Sequence, residues 1–141
     1  KIIGHPRYIE HLDKRKKIFE YRANEAYEIF SQVPGLTVVR PKGAFYMSVL
    51  FEDGVLNPAQ TLPIENPQVQ FLIEQKVQEV PVDKRFVYYL LASTGICVVP
   101  LTGFCCKRNG FRITLLEVDD EKRRWTWEAI SESIHRYLQS A

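Results

Sequence analysis

The chain has 141 residues, 45% of them hydrophobic, 12% aromatic and 26% charged. That is the size and composition of one folded domain, and it excludes whole-chain disorder and two domains of ordinary size. Lys and Arg number 19 against 17 Asp and Glu, and the net charge of +2 is too balanced to drive sequence-independent binding to nucleic acid. No apolar run approaches the roughly 18 to 20 residues that span a bilayer, and the opening residues lack the charged-then-apolar pattern of a secretory signal, so no membrane partner is expected.

In chain order, the first element is a long helix over about 6–33, with Ile9, Leu12, Phe19, Ala23, Ala26, Phe30 and Val33 on one face and Lys16 the one polar entry in a spacing of threes and fours. Pro6 suits its first turn, and Pro34-Gly35 ends it. Residues 36–39 form a short β-branched strand. Residues 44–51 form a second strand, apolar on nearly both faces, as expected inside a sheet covered on both sides. The stretch 52–81 is broken by Pro58, Pro63, Pro67 and Pro81, with a short helix capped at Asn66-Pro67. Asp83 is a good N-cap for a helix through Thr94, closed by a left-handed Gly95. A buried strand over 96–99 follows, then a loop over 100–110.

The strand 111–116 alternates, with Phe111, Ile113 and Leu115 on one face and Arg112 and Thr114 on the other. Asp119 or Asp120 starts a last helix, with Trp127, Ile130, Ile134, Tyr137 and Leu138 inward. The expected fold is an α/β (α+β) sandwich with helices packed on a small mixed sheet, a long N-terminal helix and a C-terminal helix, all within one domain over 1–141.

Cys97, Cys105 and Cys106 are odd in number in a chain large enough to hold a core unstapled, which points to a reducing, cytoplasmic setting. They contain no CxxC, and His5, His11 and His135 lie on distant helices, so no metal site is expected. The basic runs Lys14–Lys17 and Lys122–Arg124 read as solvated helix faces, and Tyr88, Tyr89, Trp125 and Trp127 as packing or helix-surface aromatics. Gly103 and Gly110 bound a loop carrying Lys107-Arg108, but not in the spacing of a phosphate-cradling motif.

Arg112 is the most informative side chain. A guanidinium between Phe111 and Ile113 needs a partner, and its planar fork matches a carboxylate bidentately. Spacing alone leaves a second reading open, in which Arg112 and Thr114 belong to a solvent-facing or salt-bridged strand face.

Four segments in order carry a resemblance: Pro41-Lys42-Gly43-Ala44-Phe45-Tyr46, Thr94-Gly95-Ile96-Cys97-Val98-Val99-Pro100, Gly103-Phe104 and Gly110-Phe111-Arg112-Ile113-Thr114. Together they resemble the C-terminal small domain of the fold-type I pyridoxal-phosphate aminotransferases of class I/II, in the flavour of alanine and tyrosine aminotransferases. The resemblance implies transfer of an amino group between an amino acid and a 2-oxo acid, with Arg112 matching the arginine that binds the substrate carboxylate and Gly43 and Phe45 at the cleft edge. It implies pyridoxal 5'-phosphate and a homodimer for the full-length enzyme.

The cofactor-bearing lysine, the acid on the pyridine nitrogen and the phosphate-holding residues come, in that family, from a large domain that would precede Lys1. With Met47 as the sole methionine, the chain is expected to be a piece of a longer protein that neither holds the cofactor nor transaminates by itself. The sequence departs from the family where Leu101 and Cys105 stand in place of glycines. Two rival readings are a free-standing carboxylate-binding regulatory module and an interaction domain.

Overall fold

Residues 3–141 are described by a computed structural model. The stripe of threes and fours builds helix α1 (Tyr8–Phe30), about 35 Å long at 1.5 Å per residue. Only its C-terminal part enters the core, through Arg22, Ala23, Ala26 and Phe30. Ile9 and Leu12, expected inward, are exposed: among the described residues, the first turns of α1 are not covered by the core.

Two strands follow, β1 (Leu36–Val38) and β2 (Tyr46–Phe51). Asn66 caps α2 (Pro67–Lys76), its side chain accepting the Gln68 and Val69 N–H groups. The irregular 52–66 stretch before it is held by buried Gln60, which accepts the Asn57 N–H, donates to the Val55 carbonyl and receives Arg85 on its own carbonyl. Next come α3 (Val82–Thr94), β3 (Val99–Pro100), a 3-10 turn over Leu101–Phe104, β4 (Gly110–Thr114) and α4 (Asp120–Leu138). Gly95 closes α3 at φ 76°, and Asp119 caps α4 by accepting the Lys122 N–H.

The strands run in the order β1-β2-β4-β3 and every pairing is antiparallel. The α+β architecture matches the sequence expectation, but the sheet is antiparallel and not mixed: α2 and α3 bring β3 back in the same direction as β2, and β4, reversed after the 3-10 turn, lies between the two and runs antiparallel to both. Leu36, Met47, Val49, Phe51, Phe111 and Ile113 form the covered face. Phe111 meets Phe30 of α1, Phe51 of β2 and Phe86 of α3 at ring-centroid distances of 6.1, 5.9 and 5.7 Å. Phe86 also meets Tyr137 of α4 at 5.2 Å.

Among the described residues, no helix covers the other face. β2 is therefore not apolar and covered on both sides: Tyr46 is exposed, and Ser48 and Leu50 are only half-buried. The strand expected over 96–99 shrinks to Val99–Pro100 at the sheet edge, with Cys97 and Val99 exposed. Edge strands of this kind are short because only one side has a partner.

Three buried polar side chains tie the helices to the rest. Arg123, expected on a solvated face, is fully buried, ion-paired to Glu25 of α1 at 2.8 Å and to Asp120 at 2.6 Å, and donates to the Glu117 carbonyl. The hydrogen bonds it makes to both carboxylates hold its pKa up against desolvation. Arg22 donates to the Leu115 carbonyl at 2.9 Å. Asp83, expected to cap α3, sits one residue inside it after Pro81, and its carboxylate is completely buried.

Gly110 and Cys105 define the backbone around the 3-10 turn. A Cβ on Gly110 would collide with the Val49 carbonyl oxygen and stand 2.8 Å from Leu101 Cδ1. Leu101, one of the two glycine replacements, is itself buried over this point. Cys105, the other, is in the left-handed region at φ 58°, where a side chain is disfavoured.

Gly110→Ala is expected to part β2 from β4 and destabilise by about 3 kcal/mol, read as a lowered denaturation midpoint. Cys105→Gly should do the opposite, raising stability by roughly 0.5–1 kcal/mol through relief of the left-handed strain. Burial pushes the Tyr137 hydroxyl from its ordinary 10.0 up to about 12, against a smaller opposing effect of the Arg85 charge. Its neutral form is thus favoured in the folded state, so this stabilisation is complete below pH 10 and lost as pH climbs toward 12. Tyr137→Phe should make the fall in stability over that window shallower in alkaline titrations of unfolding.

Candidate functional site

The alternation of β4 is fixed by its core side. Phe111 and Ile113 are buried among the helices, so Arg112 must emerge on the uncovered face. Its cross-strand neighbours are Ser48 of β2 and Val99 of β3. The guanidinium carbon lies 4.0 Å from the centroid of the Phe104 ring and 5.3 Å from that of Tyr46. Among the described residues no carboxylate lies within ion-pair distance of it. Aromatic rings engage the faces of a guanidinium, whereas its five N–H donors point out along the edges. Arg112 is thus a half-buried, held cation with its fork unspent, on an open surface.

The Phe104 position is set from below by Asp83. That carboxylate accepts the Thr102 N–H at 3.0 Å, the Thr102 hydroxyl at 2.7 Å and the Lys84 N–H at 2.7 Å, with the Gly110 N–H at 3.5 Å. One buried charge therefore joins the start of α3, the 3-10 turn and the first residue of β4. Satisfaction by several donors is what makes such burial tolerable.

Beside β3 a cleft of about 190 Å³ is lined by Val99, Arg112, Thr114, Glu117, Thr126 and Trp127 among others. Gly43 and Phe45 line a different groove, of about 650 Å³, between α1 and the β1–β2 connection, together with Arg15, Phe19 and Lys42. Phe45 links the two regions: its ring is 4.3 Å from Tyr46, which faces Arg112, and 6.5 Å from Phe19 of α1. A Cβ on Gly43 would meet nothing within 4 Å, so no close approach inside the described residues demands glycine there.

The remaining sequence candidates separate. Cys97, Cys105 and Cys106 are unbridged. Among the described residues no group of three or more His, Cys, Asp or Glu is placed to hold a metal, and no helix is long and apolar enough to cross a membrane. Trp127 and Tyr89 are packed inward and Trp125 is exposed. Tyr46, Phe104 and Asp83 are the site residues that spacing alone did not single out. The available signal was that Tyr46 and Phe104 both fall in segments that carry the resemblance, Phe104 eight residues before Arg112.

The family described as aminotransferase class I and II matches residues 2–130. An uncharacterized aminotransferase of Methanocaldococcus jannaschii is 48% identical over 140 residues, 99% of this chain and 32% of its own length. The inactive alanine aminotransferase of Saccharomyces cerevisiae is 35% identical over 104 residues, 72% of this chain and 18% of its own. The chain thus spans a third or less of the curated relatives it matches.

An aminotransferase from Escherichia coli superposes on 85% of the chain with a TM-score of 0.54 at 21% identity, and this chain covers 23% of it. Aminotransferase Aro8 from Candida albicans superposes on 84% with a TM-score of 0.57 at 13% identity, with 25% of it covered. At such identities these two likenesses speak to the fold alone. The family match over residues 2–130, together with the archaeal relative along nearly the whole chain, shows that the protein belongs to the class I and II aminotransferases.

Proposed function

We propose that residues 1–141 are the small C-terminal domain of an aminotransferase that moves an amino group between an amino acid and a 2-oxo acid, and that Arg112 binds the substrate carboxylate. The observation that carries this reading is the unspent fork of Arg112: a permanently charged guanidinium held by two rings, with no carboxylate in reach among the described residues. A substrate carboxylate completes it with two charge-assisted hydrogen bonds, and two-point contact fixes direction as well as position. Holding the carboxylate in this way orients the α-carbon, which is the contribution this chain can make to rate.

Pyridoxal phosphate supplies the electron sink for transamination in this family. The residues here do not fit that group by themselves. The cleft beside Arg112 carries no lysine to bond the cofactor, its charged members besides Arg112 being Glu117 and the ion-paired Arg123. No chemical step is therefore assigned to this chain, and the segment alone is inactive in transamination. The cofactor would be held by the remainder of the enzyme, which we read as a cytoplasmic homodimer.

In the full-length enzyme, Arg112→Ala is expected to lower kcat/KM toward amino acids by on the order of 10²-fold or more, the worth of two hydrogen bonds to a charge, while the absorption of the bound cofactor persists. Arg112→Lys should fall between, since an ammonium replaces the charge but not the fork. Unchanged kcat/KM in Arg112→Ala would remove the assignment.

A further inference from the structure

Phe104 is half exposed although it is a large apolar ring, and it sits in the loop that leads into β4. The contact that gives its exposed position a purpose is the Arg112 guanidinium, 4.0 Å from the ring centroid. Tyr46, across the strand pair, is the second ring at 5.3 Å. We propose that Phe104 and Tyr46 are positioning residues for Arg112, and that the Asp83–Thr102 clasp holds Phe104 in place. The proposal rests on the reading of Arg112 as the carboxylate fork.

The physical case is one of conformational freedom. An arginine carries four rotatable side-chain bonds and loses their entropy on binding unless something has already restricted them. Here the restriction comes from the faces of the guanidinium, so the edge donors stay free for the ligand. Phe104 can do this only if the 3-10 turn is rigid. Thr102 is bonded twice to the buried Asp83 carboxylate, and the Cys105 N–H closes the turn on the Thr102 carbonyl at 3.2 Å. The same carboxylate reaches the Gly110 N–H, so both ends of the loop that presents Phe104 and leads into Arg112 are pinned to one point.

The test compares Phe104→Leu, which keeps apolar bulk but removes the π face, with Phe104→Tyr in the full-length holoenzyme. For Phe104→Leu, KM for the amino acid and the inhibition constant of propionate should both rise about three- to tenfold, with kcat little changed and the cofactor absorption intact. Inhibition by propylamine, which has no carboxylate, should not move, and Phe104→Tyr should restore both values. Thr102→Val, which loosens the clasp without touching Arg112, should act in the same direction more weakly. Added to Arg112→Ala, Phe104→Leu should have no further effect.

If Arg112→Ala weakens propionate binding while Phe104→Leu leaves it unchanged, the positioning role is overturned and the carboxylate site stands. The role is equally overturned if Phe104→Leu weakens propionate and propylamine alike. If Arg112→Ala itself leaves propionate binding unchanged, the parent reading fails.

Discussion

Phe111 and Arg112 are adjacent, and the two-residue period of a strand makes their placements a single event. Phe111 has no exposed surface and touches aromatic rings from α1, β2 and α3. Sliding β4 by one residue would expose Phe111 and Ile113, at about 1.5–3 kcal/mol each in lost burial, and would drive the Arg112 charge into that aromatic cluster without a partner. The direction of Arg112 is therefore set by the core beneath it. A site of this kind is more accurately placed than one built on a loop, because displacing the side chain means unpacking the domain.

The open face follows from the same arrangement. α1 and α3 supply ring partners of Phe111, α4 supplies Tyr137 against Phe86, and all three contribute to the covered side of the sheet. With Arg123 ion-paired to Glu25 between α1 and α4, and Arg22 reaching from α1 to the end of β4, the helical layer is locked together by buried charges with complete partners. Such pairs add little net stability over apolar packing, but losing one partner leaves a costly buried charge. Their effect is to keep the helices on one side, leaving Tyr46, Ser48, Arg112 and Thr114 facing outward.

The elements legible in the sequence were those whose order is local. The stripe of α4, the caps at Asn66 and Asp119, the left-handed Gly95 and the alternation of β4 all follow from neighbours within a few residues, and all hold in the structure. What was not legible depends on contacts distant in sequence. Arg123 looked solvated because its partner Glu25 is 98 residues away. Asp83 looked like a cap because its partners, Thr102 and Gly110, lie 19 and 27 residues on. The outer half of α1 looked buried because periodicity shows which face is apolar and not whether anything covers it. The antiparallel direction of β3 was hidden for the same reason: two residues of strand carry no pattern.

The site divides in the same way. Arg112 was visible because a charge interrupts an apolar alternation, and the resemblance to aminotransferases attached a role to that charge. Its surroundings were not visible, since Phe104 and Tyr46 meet it through a turn and across a strand pair. The two departures from the loop pattern that the resemblance implies are accommodated differently. Leu101 replaces a glycine by turning into the core over Gly110, where the absent Cβ leaves room for it. Cys105 replaces the other while keeping the left-handed backbone that glycine adopts without strain. Both substitutions fall on the frame that carries Phe104, and in neither case is the ring moved off the guanidinium. The loop's backbone is held by the Asp83 carboxylate from below, through the Thr102 N–H and hydroxyl, and so depends less on the loop's own propensities.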